Sequence, residues 1–448
     1  MNAGQERQEA IRKAGRVVAR VLLLATTTGY QTRSFGEAAE RLGVKLVFAT
    51  DRCDTLDDPW QDQAIPIRFH DESASVEAIL VAARTTPFDA VLVVGDRPTV
   101  IGALVAEALG MPGHPSGAVA AARNKRLTRE RLHACGLPVP RFVAVSIDAE
   151  LSGLLPRLSF PCVVKPVALA GSRGVMRAND AKELNQAFER LRKLLKSRDI
   201  LAERSDAHHT ALIEAFIPGR EFALEGLLHH GVLHVLAIFD KPDPLDGPFF
   251  EETLYITPSS VSDETARAIE RSVARAADAL GLRHGPIHAE CRANADGVFV
   301  IEVAARPIGG LCSRALRFVK RGRESFPDEP SISLEELLIR HSLGESPEKW
   351  GRESTSSGVM MIPIPARGIY RRVSGEDEAR EVAGIVDIRI TAKADQLLVP
   401  LPEGASYLGF IFARGETPDF VDRALRMAHD QLHFTVDPAL PVLQSRHG

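Results

Sequence analysis

Residues Pro286 to Gly310 read PIHAECRANADGVFVIEVAARPIGG. Two β-rich runs, Ile287–Arg292 and Val298–Ala304, flank Asp296-Gly297, a strong turn signal. A three-residue loop, Ala295 to Gly297, places Gly297 at the left-handed position that glycine takes cheaply. In that register Glu290 stands opposite Glu302. Directly opposed residues share a face, with Cβ atoms about 4.5–5.5 Å apart. Two carboxylates so placed repel unless a cation joins them, and Mg²⁺ takes hard oxygen ligands. Side chains alternate with period two, so Glu302, Ala304 and Arg306 share that face and Arg306 aims at a negatively charged ligand. Val300, Ile301 and Val303 suit strands buried on both faces, which argues against an open surface hairpin.

The surrounding chain bounds the answer. Its 448 residues exceed what one core serves, so several domains are expected. Hydrophobic residues make up 45% and charged residues 25%, as in an ordinary globular protein. A formal net charge of -4 gives no reason to expect nucleic acid or an anionic membrane as partner. Cys53, Cys135, Cys162, Cys291 and Cys312 are odd in number and form no C-x-x-C pair, which fits reduced cytoplasmic thiols rather than a disulfide framework or a zinc site. The first apolar run, Val17–Ala25, is too short to span a bilayer.

From about Val17 to Ala122 strands alternate with helices, which predicts a parallel sheet covered on both faces. Ligands in such sheets lie beyond the carboxyl ends of strands, so Thr26–Arg33 and Gly95–Pro98 are the loops of interest. No G-x-G-x-x-G follows the first strand, which speaks against a dinucleotide site. A helix is expected over Lys125–Cys135, then a short strand, FPCVVKP, carrying Lys165. A lysine on so apolar a strand is costly unless something anionic meets it. The loop ALAGSRGV, residues 168–175, follows at once and suits backbone N–H groups folding over phosphates. Leu184, Phe188, Leu191 and Leu195 form the packing stripe of the next helix. His229, His230 and His234 surround a hairpin tip and read as solvent-facing rather than as metal ligands. A proline-rich loop, Pro242–Tyr255, holds Glu251 and Glu252. Ser262 caps a helix ended by Gly281, and a further helix is expected after Ser313, with Arg314 and Arg317 on it. Beyond Ser331 the pattern is a small α+β unit that could close over the site.

A helix lysine, a strand lysine, a glycine loop, E-x-F-I-x-G-x-E over 214–221, and a carboxylate hairpin ending in R-P-x-G-G occur in that order. Together they resemble the ATP-grasp superfamily over essentially the whole chain. GPFFEETLY, IEVAARPIGG and GVMMIPIPARG are most similar to the L-amino acid ligases and carnosine-synthase-like carboxylate–amine ligases. The resemblance implies α/β and α+β domains: a Rossmann-like preATP-grasp domain over 1–122, a small lid subdomain over 123–205, a large ATP-grasp subdomain over 206–330 and an α+β C-terminal domain over 331–448.

By the same resemblance, Lys125 and Lys165 contact the α- and β-phosphates of ATP, and Gly171, Ser172, Arg173 and Gly174 close on the β- and γ-phosphates. Glu214, Ala215 and Ile217 form the adenine hinge and Glu221 holds the ribose hydroxyls. Glu290 and Glu302 bind Mg²⁺, with Mn²⁺ as a substitute. Arg306 stabilises an acyl phosphate, Gly309 lines the substrate carboxylate pocket, and Glu251 resembles an acidic residue near the incoming amine. Ala304 departs from the pattern, since many relatives have E-x-N where this chain has E-x-A, so one metal ligand is missing or supplied by water.

The implied reaction is amide formation through an acyl phosphate, with release of ADP and phosphate. The implied partners are a small-molecule carboxylate and an amine, both amino acids, with a homodimer compatible. Two alternatives stand beside it: other ATP-grasp carboxylate chemistry of the biotin-carboxylase or formyl-phosphate kind, and an ATP-bound regulator without turnover. The E-x-M-K-M segment of a biotin carrier is absent, and the carboxylates and phosphate lysines that a regulator would lose are present.

Overall fold

Strand β1 (Arg20–Ala25) is RVLLLA, buried from its second residue onward, as a central strand between two helical layers must be. The computed structural model describes residues 18–26, 31–51, 64–322 and 331–439. Cys53 and the middle of the Thr26–Arg33 loop lie outside them. β1 pairs in parallel with β2 (Lys45–Thr50) and β4 (Ala90–Val94), and β3 (Ile65–Pro66) adds a short edge to β2. Helices α1 (Thr32–Leu42), α2 (Glu72–Thr85) and α3 (Thr99–Ala108) complete the expected alternation. α4 (Ser116–Arg123) has no sequence signature, because GAVAAA carries no polar stripe to set its period. Asn124 then caps α5 (Lys125–Ala134), its side chain accepting from the N–H groups of Arg126 and Leu127.

A second sheet has the order β5-β8-β6-β7, built from β5 (Phe142–Ser146), β6 (Cys162–Pro166), β7 (Met176–Ala178) and β8 (Thr210–Ala215). α6 (Ala181–Leu195) covers it with the Leu184, Phe188, Leu191 and Leu195 stripe. β8 lies in this sheet, although sequence grouped residues from 206 onward with the next unit.

The largest sheet has eight strands. β9 (Arg220–His229), β10 (Val232–Lys241), β11 (Leu254–Thr257), β12 (Gly285–Asn294) and β13 (Gly297–Ala304) supply five. α7 (Asp263–Leu280) packs Ile269, Val273, Ala277 and Leu280 against it, capped by the Ser262 hydroxyl and ended by Gly281 at φ 83°. The helix expected to carry Arg314 and Arg317 does not form. A 3₁₀ turn over Cys312–Ala315 leads into β14 (Arg317–Lys320), which pairs with β15 (Ile332–Ser333) and β16 (Trp350–Arg352). RFVK satisfies its backbone groups in that sheet instead of in a helix. α8 (Leu334–Ser342) follows β15.

The C-terminal residues are not detached from this sheet. β17 (Ser356–Ile362) pairs with β11, and β19 (Ile385–Ile390) and β21 (Gly409–Gly415) extend beyond it, giving the order β13-β12-β9-β10-β11-β17-β21-β19. α9 (Pro418–Gln431) packs on the extension, and a three-stranded sheet of β18 (Gly368–Ser374), β20 (Leu397–Leu398) and β22 (His433–Pro438) closes the chain.

The β12–β13 hairpin reaches the anticipated Glu290–Glu302 pairing by another route. Asn294 pairs with Gly297, so the loop has two residues, and the register shifts by one at Ile301 before Glu302 meets Glu290. Ile301 is the extra residue of a β-bulge. Gly297 does have a positive φ, 121°, but as the first residue of β13 rather than inside the loop.

Candidate active site

Three cross-strand rows form the floor of a cleft of about 410 Å³. In the first, Lys241 stands opposite Glu221 and Glu221 opposite Arg292. In the second, Ala223 is beside Glu290 and Glu290 beside Glu302. In the third, Glu225 is beside His288 and His288 beside Ala304. Alternation with period two puts all three rows on one face.

One end of the floor is acidic. The Lys241 ammonium donates to Glu221 at 2.9 Å and Glu252 at 2.5 Å, and lies 3.3 Å from Glu290. Arg292 donates to Glu221 at 2.8 Å and to the Ile217 carbonyl at 2.7 Å. Two cations therefore serve three carboxylates. Burial, and then the charge of Glu252, pushes the Glu290 carboxyl up. Glu221, Glu252 and Glu290 bring oxygens within 4.8 Å of one another, an all-oxygen donor set that fits a hard divalent cation. Glu302 instead pairs with Lys125 at 2.9 Å.

The other end is cationic. Arg129, fully buried on α5 one turn after Lys125, donates to Glu214 at 3.0 and 3.3 Å. Lys165 bonds the same carboxylate. Burial pushes Glu214 up, but Arg129 and Lys165 outweigh it and hold the acid at about 2. Lys165 is lowered to about 8, by burial first, with Glu214 opposing and Arg129 adding to the fall. One carboxylate thus faces two cations, which leaves a surplus positive charge for an anionic ligand. Arg129 also donates at 2.8 Å to the carbonyl of Ile301, the bulge residue. The bulge and the lysine–glutamate pair are therefore one network.

Of the residues singled out by sequence, Lys125, Lys165, Gly171, Ser172, Glu214, Ala215, Ile217, Glu221, Glu290, Glu302, Arg306 and Gly309 line this cleft. Three others do not. Arg173 turns to Asp199 at 2.6 Å and to the Glu403 carbonyl at 2.7 Å. Gly174 donates its N–H to Pro402 at 2.8 Å. Glu251 accepts from the Ile364 backbone, while its neighbour Glu252 faces the cleft. The glycine loop is thus latched to residues 402–403, and Ala405, Ser406 and Tyr407 complete the wall.

Several residues around the cleft were not anticipated. Asp96, in the Gly95–Pro98 loop, binds Arg306. Glu225, fully buried, accepts the Ile308 N–H at 3.1 Å on both oxygens and the His288 ring at 3.1 Å, fixing the chain between Arg306 and Gly309. Lys241, His288, Arg129 and Arg292 complete the set, and Glu252, read in the sequence only as a loop acid, joins them. Two signals were available: Glu225 repeats the parity of Glu221 on an apolar strand, and Arg129 follows Lys125 by one helical turn.

A lysine-rich cleft end, an acidic floor and a glycine loop between two sheets define a nucleotide-dependent enzyme class. Comparison with known proteins is specific. Residues 158–315 match the ATP-grasp domain, 36–113 the ATP-grasp N-terminal domain and 360–437 the L-amino acid ligase C-terminal domain 2. The crystal structure of an L-amino acid ligase from Bacillus licheniformis superposes with a TM-score of 0.78 at 30% identity, over 94% of this chain and 99% of that one. A D-alanine–D-alanine ligase of Aromatoleum aromaticum is 33% identical over 193 residues, which are 42% of this chain and 58% of that protein. Protein y4rH of Sinorhizobium fredii is 24% identical over 334 residues, 73% of this chain and 64% of its own length. In both of these relatives the matched stretch is less than two thirds of the protein. The chain belongs to the ATP-grasp family and carries a C-terminal domain of the L-amino acid ligase type.

Proposed function

We propose that the protein is an ATP-dependent carboxylate–amine ligase that joins two amino acids through an acyl phosphate. The observation that carries this reading is one cleft in which the Lys165–Arg129 surplus charge, the Glu290–Glu302 pair and Arg306 with the Gly309 loop line the same space. The relatives' activities and the matched C-terminal domain support the substrate class.

In this reading Lys125 and Lys165 bind the phosphates of ATP, and Glu214 to Ile217 present the hinge to adenine. Glu290 and Glu302 would hold Mg²⁺, and Lys125 would pass from Glu302 to phosphate as the ion arrives. When bound, the ion supplies neutralisation of phosphate charge. A substrate carboxylate oxygen forms a bond to the γ-phosphorus as the bond to ADP breaks, giving the acyl phosphate. The amine nitrogen then attacks the acyl carbon, phosphate leaves and the amine proton is lost. Arg306 holds the phosphoryl or carboxylate group bidentately, which a lysine cannot do. The glycine loop, latched to residues 402–403, excludes the water that would hydrolyse the intermediate. Among the described residues no helix is long and apolar enough to cross a membrane.

The test is ADP and phosphate release with ATP, Mg²⁺ and pairs of amino acids, with the product identified by mass. ADP release that needs both an acyl donor and an amine, with an amide as product, is the expected result. ATP binding with no amino-acid-dependent turnover in any pair would sink the ligase reading and favour a regulator.

A further inference from the structure

A second cluster of titratable groups lies away from the cleft. His229 ends β9, eight residues from Glu221, or roughly 26 Å along the strand. His284 stands just before β12, and His341 is in the last turn of α8. Sequence places only His229, His230 and His234 near one another. The fold adds His284 and His341, separated from His229 by 55 and 112 residues, so the expectation of a simple solvent-facing tip does not hold for His229.

We infer that His229, His284 and His341 form a binding site for a divalent transition-metal ion, Zn²⁺ by its chemistry. One ring nitrogen from each lies within 4.8 Å of the others. His229 Nδ1 and His341 Nε2 are 3.2 Å apart, close to the edge of a tetrahedron with bonds of about 2.0–2.1 Å. The His284 and His341 rings are 4.4 Å apart and nearly parallel, and His229 is 5.3 Å from His284 and 5.4 Å from His341. A set of imidazoles without thiolate suits Zn²⁺ over Mg²⁺.

The surroundings agree. His284 and His341 are buried, whereas His229 is half-buried and His230 exposed, so the cluster has an open side. Burial, then the neighbouring imidazoles His284 and His229, lowers His341 far below its ordinary range. The neutral ring is the form that binds metal. The three ligands come from the β9–β10 tip, the loop before β12 and a helix that packs on α1 of the N-terminal domain. An ion here would clamp these elements together and take no part in the cleft's chemistry.

The experiment uses the full-length chain, stripped of metal by chelator and kept in excess Mg²⁺. Zn²⁺ is titrated calorimetrically, and Co²⁺ is titrated while following its visible absorption. The expected result is one equivalent of Zn²⁺ with a rise in melting temperature, and tetrahedral-type Co²⁺ bands. His229→Gln and His341→Gln should each weaken that binding at least tenfold, while Glu290→Gln leaves it unchanged. Should His341→Gln fail to fold, His229→Gln, at a half-buried strand end, still decides. Absence of stoichiometric Zn²⁺ binding, or unaltered binding in His229→Gln, overturns the site. Neither readout depends on ligase turnover.

Discussion

Arg306 grips Asp96 through two hydrogen bonds, Nε to Oδ1 at 2.9 Å and Nη2 to Oδ2 at 3.1 Å, joining the end of the hairpin to the N-terminal sheet. Burial raises the Asp96 carboxyl, but Arg306 outweighs it and holds the acid below its usual range. The pair aims the guanidinium while leaving it beside the cleft. Arg306→Lys keeps a charge but loses the fork. We expect amide formation to fall roughly 10²-fold or more, the scale for removing one transition-state donor, with ATP affinity little changed. ADP release and melting temperature measured on the same preparation check this. A less stable variant that is fully active per folded molecule would show Arg306 to be structural.

Lys165 should make ATP binding pH-dependent. Its pKa in the free protein is lowered to about 8, and phosphate in the cleft restores the charged form. Binding therefore takes up a proton at pH values above about 8, and affinity falls as pH rises through that value. Calorimetry in buffers of different ionisation enthalpy reads the uptake directly. Lys165→Ala should abolish it and weaken ATP far more than adenosine. Equal losses for both ligands count against a phosphate contact.

The carboxylate pair is tested separately from the fold. Glu302→Gln and Glu290→Gln should each abolish ADP formation at ordinary Mg²⁺ and leave the thermal transition cooperative. Near-normal turnover in Glu302→Gln would remove it from the metal's ligands.

Arg129→Met removes a fully buried charge from Glu214 while keeping much of the apolar stem. Breaking one partner of a buried pair costs about 3–5 kcal/mol. Lys165 remains to pair with Glu214, so the lower end of that range is expected. Chemical denaturation measures it, and a loss under about 1 kcal/mol contradicts the network.

Gly174→Ala should destabilise the glycine loop. Its φ is +75°, and an added Cβ would stand 3.0 to 3.2 Å from Leu191, Leu194 and Pro166. A left-handed non-glycine residue costs about 1–2 kcal/mol before any clash. We expect a lower melting temperature and faster proteolysis at the loop. Unchanged values for both would mean the loop relaxes freely.

The site was legible where its chemistry is local. Lys165 precedes its glycine loop by three residues, and Glu290 faces Glu302 across a turn. Even there the observed route differs from the expected one, because a bulge at Ile301 leaves no mark in an apolar run that a longer turn would not also leave. Arg129 with Glu214 and Asp96 with Arg306 were illegible because 85 and 210 residues separate the partners. Charge pattern shows that such a group needs a partner, not which one it finds. The helix expected after Ser313 failed for a related reason: β14 draws its partners from β15 and β16, and local propensity does not see them.

The pairing of β11 with β17 bears on how this architecture could be recombined. β11 has four residues, all buried, and every one is matched by a residue of β17. Removing the chain from β17 onward would bare a hydrophobic strand in the middle of the sheet, the kind of edge that recruits other molecules into aggregates. The C-terminal quarter is therefore not a cassette that can be exchanged between relatives at a linker. A viable chimera must carry the β11–β17 seam from a single parent, and with it residues 242–253, which lead into β11.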